Sequence, residues 1–234
     1  KNKDTVAVQP KILSYANKSM FEYAGAAGGF IDRYGYPFCR GRILHKLEED
    51  KGQYDEPIEI FWASGACLCM RKDDYTKAGG FDADFFAHME EIDLCWRLLA
   101  RGGKIFCLPQ SKVYHVGGAS LDSESPRKVH LNFRNNLLMI YKNASKTKLV
   151  EVFLVRIVLD VAAAAHFLVQ GKWRHAKAVA KAYSDFIKMK PAFRQKRTIN
   201  TEKTIQANIS QEYKGSMLFD FYFRRKRKYS EIRK

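Results

Sequence analysis

The sequence predicts an α/β domain followed by a basic helical extension, and two observations carry that prediction. Short apolar segments of strand-like composition, at residues 5–8, 58–62 and 104–108, are interleaved with a helix-period stretch over residues 90–101. Charge is unevenly spread: residues 1–140 are almost balanced, and nearly all of the net +16 falls in residues 141–234. With 234 residues, 46% hydrophobic and 13% aromatic, the chain can bury one sizeable core, which excludes a wholly disordered protein.

Residues 5–8 read as a strand that leads to Pro10. Residues 21–42 have no steady period and many turn residues, which predicts a long ordered loop of the lid type. Arg40 and Arg42 within it either aim cationic heads at a phosphate or stand as plain surface arginines. The glycines at 25, 28 and 29 lack the spacing of a dinucleotide fingerprint. The strand at 58–62 ends on Trp62, before a small-residue bend at Ser64, Gly65 and Ala66; a strand tryptophan is either core or an exposed aromatic platform.

The helix at 90–101 should bury Leu94, Leu98 and Leu99 and end at Gly102 and Gly103. Glu90 and Glu91 lie in its first turn, where the helix N-terminus favours the ionised carboxylate. Asp93 and Arg97 are spaced for a scaffolding pair on one face. A strand over 104–108 is ended by Pro109, and residues 113–116 lead to Gly117 and Gly118. Five cysteines, an odd number without a Cys-x-x-Cys, read as buried free thiols in a reducing compartment.

Residues 149–169 have the length to cross a bilayer, but Glu151, Arg156, Asp160 and His166 argue against a span. Phe153, Leu154, Ile157, Val158, Val161, Ala164, Ala165 and Leu168 fall on one arc, an amphipathic stripe that must be buried on something. A basic helix opens at Lys172, Trp173 and Arg174, and aromatics at 219–223 precede the basic run at 224–228. That pattern suits an anchor on an anionic membrane surface, the alternative being a packed helical hairpin with a solvated tail.

Trp62-x-Ser64-Gly65-Ala66, Gly79-Gly80-Phe81-Asp82, the block Phe85-Phe86-x-x-x-Glu90-Glu91-x-Asp93-Leu94-x-x-Arg97, and then Pro109 and His115 recur in order with sensible gaps. Over about residues 5–121 this resembles the acceptor-side half of a family 2 glycosyltransferase, an inverting enzyme of the GT-A fold. The resemblance implies the second half of a Rossmann-like mixed sheet at 1–140, with a helical extension at 141–200 and a basic tail at 201–234. It places Glu91 as the base, where the commoner pattern has aspartate, and sets Glu90, Trp62, Ser64, Gly65, Ala66, Arg40 and Arg42 against substrate. A sugar ring would lie on Trp62 beside the bend.

His115 would stand near a divalent cation, magnesium or manganese, whose other ligands and nucleotide-sugar site lie upstream of Lys1, so this chain alone would be inactive. Asp82-Ala83-Asp84 matches an Asp-x-Asp metal motif on paper but falls in the wrong place. The implied partners are a nucleotide-sugar donor, a glycan or lipid-linked acceptor and the cytoplasmic face of a membrane. Nucleic acid is not expected, since the positive charge is terminal rather than laid over a folded aromatic face. A non-catalytic adaptor that retains the fold is the alternative from another class.

Overall fold

In the computed structural model, which describes residues 4–117 and 125–232, the strand expected at 5–8 runs on as β1 (Thr5–Ser14). It is followed by β2 (Gly29–Ile31), β3 (Pro37–Cys39), β4 (Arg42–Ile43), β5 (Lys46–Leu47), β6 (Ile58–Glu59) and β7 (Cys69–Met70). Then come α1 (Lys72–Ala78), a 3-10 turn (Ala83–Phe85), α2 (Glu90–Ala100) and β8 (Lys104–His115). The helices α3 (Pro126–Asn143), α4 (Lys146–Val169), α5 (Trp173–Glu202), α6 (Met217–Tyr222) and α7 (Tyr229–Ile232) complete the chain.

Two units form, divided differently from a cut at 140 and 200. One comprises Lys1–Phe81, Leu94–Gly117 and Ile205–Lys234; the other comprises Asp82–Asp93 and Gly118–Thr204. The first is mixed α/β. Its main sheet has the order β6-β8-β1-β7, with β1 and β8 parallel and both edges antiparallel. Pro109 does not end β8, because the ladder slips instead: Pro10 faces Leu108, whereas Lys11 faces Lys112. A proline lacks the N–H that a ladder needs, so both strands place theirs at the irregularity. Gly118, to which residues 113–116 lead, lies outside the described residues.

Residues 21–42 are not a lid. They build most of a second antiparallel sheet, β2-β3-β4-β5, in which Phe30, Ile31, Phe38 and Cys39 are buried. Gly41 adopts φ +111° under the Phe21 ring, 2.7 Å from where a Cβ would stand, so glycine answers both the backbone and the space. Nor are residues 201–234 a free tail. Tyr229 packs against Phe30 and Phe38, with ring centroids 5.2 and 6.4 Å away. Asp220, 1% exposed, takes Arg224 at 3.1 Å and Lys226 at 3.3 Å out of the basic run. All five cysteines are free thiols; Cys39, Cys95 and Cys107 are buried, while Cys69 is exposed, contrary to expectation.

The second unit is three helices and the segment 82–93. Ser125 caps α3 by accepting a hydrogen bond from the Lys128 amide at 3.2 Å, with Pro126 opening the helix. From the same helix the buried Lys142 ammonium reaches Asp82 at 2.7 Å and Asp93 at 2.8 Å. Lys196 of α5 adds contacts to Asp82 at 2.6 Å and Asp84 at 2.7 Å. Burial works to raise the Asp82 pKa, but the two lysines overrule it and hold the group below the ordinary carboxylate range.

Removing one partner from a buried pair leaves an uncompensated charge. Lys142→Met should therefore destabilise the protein by about 3 kcal/mol in urea unfolding, and adding Asp93→Asn should recover part of the loss. A single-variant loss below ~1 kcal/mol would show that the cluster is solvated.

Candidate active site

α2 begins immediately after a stretch of unfavourable backbone. Phe86, His88 and Met89 have φ of 64°, 70° and 73°, a region that side-chain-bearing residues avoid at a cost of roughly 1 kcal/mol or more each. Such a stretch persists only when neighbours over-determine it, and here the neighbour is α3. The Asn135 side chain, fully buried, donates from Nδ2 to the carbonyls of Phe85, Ala87 and His88 at 2.9, 2.8 and 2.8 Å. Arg134 adds Nη2 contacts to the carbonyls of Phe85 at 3.1 Å and Asp84 at 3.3 Å.

The groups that this clamp presents are polar and unmatched. Among the described residues, Glu90 Oε2, Glu91 Oε2 and His88 Nε2 are sealed from solvent with no hydrogen-bond partner. Buried polar atoms are rarely left so, and three within four residues mark a place where something else supplies the bonds. Glu91 is not the plain anion expected at a helix start. Burial, and secondarily the charge of Glu90, raise its pKa to about 7, and the amides of Glu91 and Ile92 offset this only in part. Burial also raises Glu90. Burial, then the charge of Lys128, lowers His88, so that ring is neutral at pH 7. A carboxylate poised near neutrality is suited to taking a proton from a hydroxyl, because it combines a large ionised fraction with adequate basicity.

Asp93 spends its carboxylate on Lys142 and on Asn143 Nδ2 at 2.8 Å, a scaffolding use. Glu90, Glu91 and Asp93 belong to the second unit, and the remaining expected site residues belong to the first. Arg97 donates to the carbonyls of Ala78 and of Gly80, the latter at 2.7 Å, and so ties α2 to the end of α1. Trp62 is core rather than a sugar platform. It is 3% exposed, its indole Nε1 donates to the Phe30 carbonyl at 3.0 Å, and its ring lies where Gly29 has no side chain. Ser64 is likewise buried, its amide bound to Gln9 Oε1 at 2.8 Å. Gly65 and Ala66 remain exposed and approachable.

Arg40 and Arg42 are neither surface residues nor free cations. Arg40 donates to the Glu56 carbonyl at 2.8 Å over the Tyr54 ring, and Arg42 donates to the Leu44 carbonyl at 3.0 Å over the Tyr23 ring. Both are buried scaffold, Arg42 within the second sheet and Arg40 against the loop that follows it. His115 closes β8 with Nδ1 sealed and without an aligned hydrogen bond, 3.4 Å from Glu22 Oε2. A histidine and one carboxylate are donors of the right chemistry for a divalent cation, but among the described residues no group of three such side chains forms. The residues present do not make a metal site by themselves.

The sequence contains His88 and Asn135 in plain view, yet nothing in their spacing signals a role. A histidine beside two glutamates is a hint; an asparagine 44 positions after Glu91 is none.

No protein-family model matches the chain. Among curated proteins it is similar to the N-acetylglucosaminyl-diphospho-decaprenol L-rhamnosyltransferase of Mycobacterium tuberculosis (strain ATCC 25618 / H37Rv), 39% identical over 62 residues, covering 26% of this chain and 20% of that protein. It is similar to Rhamnosyltransferase WbbL of Escherichia coli (strain K12), 26% identical over 98 residues, covering 42% of this chain and 36% of that protein. It also matches the O-antigen biosynthesis protein RfbC of Myxococcus xanthus, 26% identical over 122 residues, covering 49% of this chain and 9% of that protein. The chain thus spans about a third or less of the length of these relatives. Among solved structures, GalNAc-T7 with UDP, GalNAc and Mn2+ aligns at a TM-score of 0.42 and 15% identity, over 60% of this chain and 27% of that one, too distant to carry an argument.

Removing the clamp should loosen the strained stretch. Asn135→Ala takes this donor from the Ala87 and His88 carbonyls, while Phe85 keeps Arg134, and should destabilise the protein by about 2 kcal/mol, with hydrogen exchange speeding up over residues 85–91 before the rest of the unit. Uniform exchange across the unit would instead make Asn135 an ordinary core residue.

Proposed function

We propose that this chain contributes the acceptor-side chemistry of an inverting glycosyltransferase of the GT-A type, with Glu91 as general base. The observation that carries the proposal is the pair of sealed, unpartnered carboxylate oxygens at the start of α2, one of them on a group with its pKa near 7. The rhamnosyltransferase names of the partial relatives support the same class. In this reaction an acceptor hydroxyl donates to Glu91 and loses its proton as its oxygen attacks the anomeric carbon of a nucleotide-sugar. The bond to the nucleotide diphosphate breaks on the opposite face, which inverts the centre.

Glu90 contributes its charge, which keeps Glu91 basic, and the neutral His88 ring is placed to hydrogen-bond a neighbouring acceptor hydroxyl. A divalent cation would neutralise the departing diphosphate; no step of this proposal is routed through it. The mycobacterial relative's name places its acceptor on a decaprenyl diphosphate, and we carry over that class: a sugar on a lipid carrier, met at the cytoplasmic face of an anionic membrane.

The pH dependence follows from the raised pKa. Glu91 is protonated and inert below about 7 and ionised above it, so kcat measured on the full-length protein with nucleotide-sugars should rise with pH through about 7 and then level. Glu91→Gln should lower kcat by about 10²–10⁴-fold and abolish that rise. Glu90→Gln removes a like charge and should move the midpoint to lower pH. Unchanged turnover in Glu91→Gln removes the base assignment, and absent turnover in both proteins favours the non-catalytic adaptor.

A further inference from the structure

The helix α4 is built inside out. Its inward face carries the charges: Arg156 and Asp160, 2% and 1% exposed, pair at 3.1 Å. Arg156 Nη1 also donates to Asn136 Oδ1 at 2.6 Å, and Asp160 Oδ2 accepts from the Tyr183 hydroxyl at 2.8 Å. These two charges were the strongest objection to a nonpolar environment for this helix, and both are satisfied within the three-helix unit. The outward face is apolar. Leu154, Val158 and Val161 are 62, 68 and 63% exposed, and Leu168 and Val169 are 58 and 87% exposed. The stripe expected to be buried therefore stays largely uncovered, the exceptions being Phe153, which stacks on Phe186, and the half-buried Ala164.

Between residues 152 and 165 no outward side chain is charged; Glu151 lies at the end, beside Lys148. The apolar strip is long, since 24 helical residues extend ~36 Å. Exposed apolar surface on that scale marks an interaction site.

We infer that this face lies in the plane of an anionic lipid leaflet, its apolar side chains in the outer hydrocarbon. Length and composition alone would allow α4 to cross a bilayer. The packing of α5 opposes crossing. α5 is fastened along α4 by the Phe153–Phe186 stack, the Asp160–Tyr183 hydrogen bond and the Phe167–His175 contact. A crossing α4 would drag the exposed Lys177, Lys181 and Lys188 of α5 into hydrocarbon, where each ammonium loses its water.

Charge selects lipid over a second copy of the chain. Both ends of the strip are basic, with Lys146 and Lys148 at one and Lys172 and Arg174 at the other, beside Trp173, which is 58% exposed. That is the arrangement of a helix seated at the headgroup boundary. A net charge of +16 attracts an anionic surface and repels a like copy.

This inference deepens the membrane part of the proposed function, yet it is measured without turnover, so it can fail while the transferase assignment stands, or the reverse. Full-length protein is sedimented with vesicles of phosphatidylcholine alone and with 30% phosphatidylglycerol, a fraction on the order of that in anionic membranes. The wild type should bind the anionic vesicles. Leu154→Gln/Val158→Gln/Val161→Gln, all at exposed positions and checked for an unchanged Tm, should lower partitioning by at least about tenfold. Lipids brominated near the headgroup should quench Trp173 fluorescence more than lipids brominated at the chain ends. Equal binding by the triple variant overturns the inference, as does quenching strongest at the bilayer centre, which would mean a span. Self-association by ultracentrifugation that the triple variant abolishes, with no vesicle binding, would assign the face to a second copy.

Discussion

A single buried ammonium organises the second unit. Lys142 binds Asp82 and Asp93, the first and last residues of the segment that joins this unit from elsewhere in the chain, so both ends of that segment converge on one nitrogen. Two helical turns earlier on the same face of α3, Asn135 grips the middle of the segment by three carbonyls. With ends and middle held by one helix, the positive-φ residues between them cannot relax. The catalytic-looking geometry is thus imposed from α3 and is not a preference of the local sequence.

That imposition explains why Glu90 and Glu91 can be kept unsatisfied. A free helix start would turn its first-turn carboxylates into water or toward its own amides, and their pKa would fall. Rigid backbone at 86–89 keeps one oxygen of each sealed from water, so burial, then the charge of Glu90, outweighs the amides of Glu91 and Ile92 that Glu91 still meets. The acids next door behave oppositely: Asp82, Asp84 and Asp93 all meet lysines and serve as scaffold. Within twelve residues, the presence or absence of a cation separates structural carboxylates from chemical ones.

The same division of polar and apolar groups recurs in α4 with the faces exchanged. Its two charges neutralise each other and are hydrogen-bonded by Asn136 of α3 and Tyr183 of α5, which releases the outward surface from any need to be polar. A helix that looks unsuited to lipid by composition becomes suited to it once its ion pair is internal. Conversely, the basic residues near the chain end, which look like a free anchor, are partly engaged by Asp220 and Phe221.

What the linear order of residues determined was local and periodic. The helix that starts at Glu90 and stops at Gly102, whose φ is +86°, the burial of Leu94, Leu98 and Leu99, the α/β character and the placing of Glu91 in a first turn follow from spacing and from glycine's conformational freedom. Tertiary structure decided everything that depends on a distant partner. Trp62 became core because Gly29 made room for its ring, Arg40 and Arg42 became scaffold because residues 21–42 folded into a sheet, and α4 turned its charges inward because Asn136 and Tyr183 received them. The reason is common to all three: a side chain's protonation, exposure and bonding depend on what packs against it, and the partners of Trp62, Arg156 and Asp160 in α3, α5 and the second sheet lie twenty or more positions away.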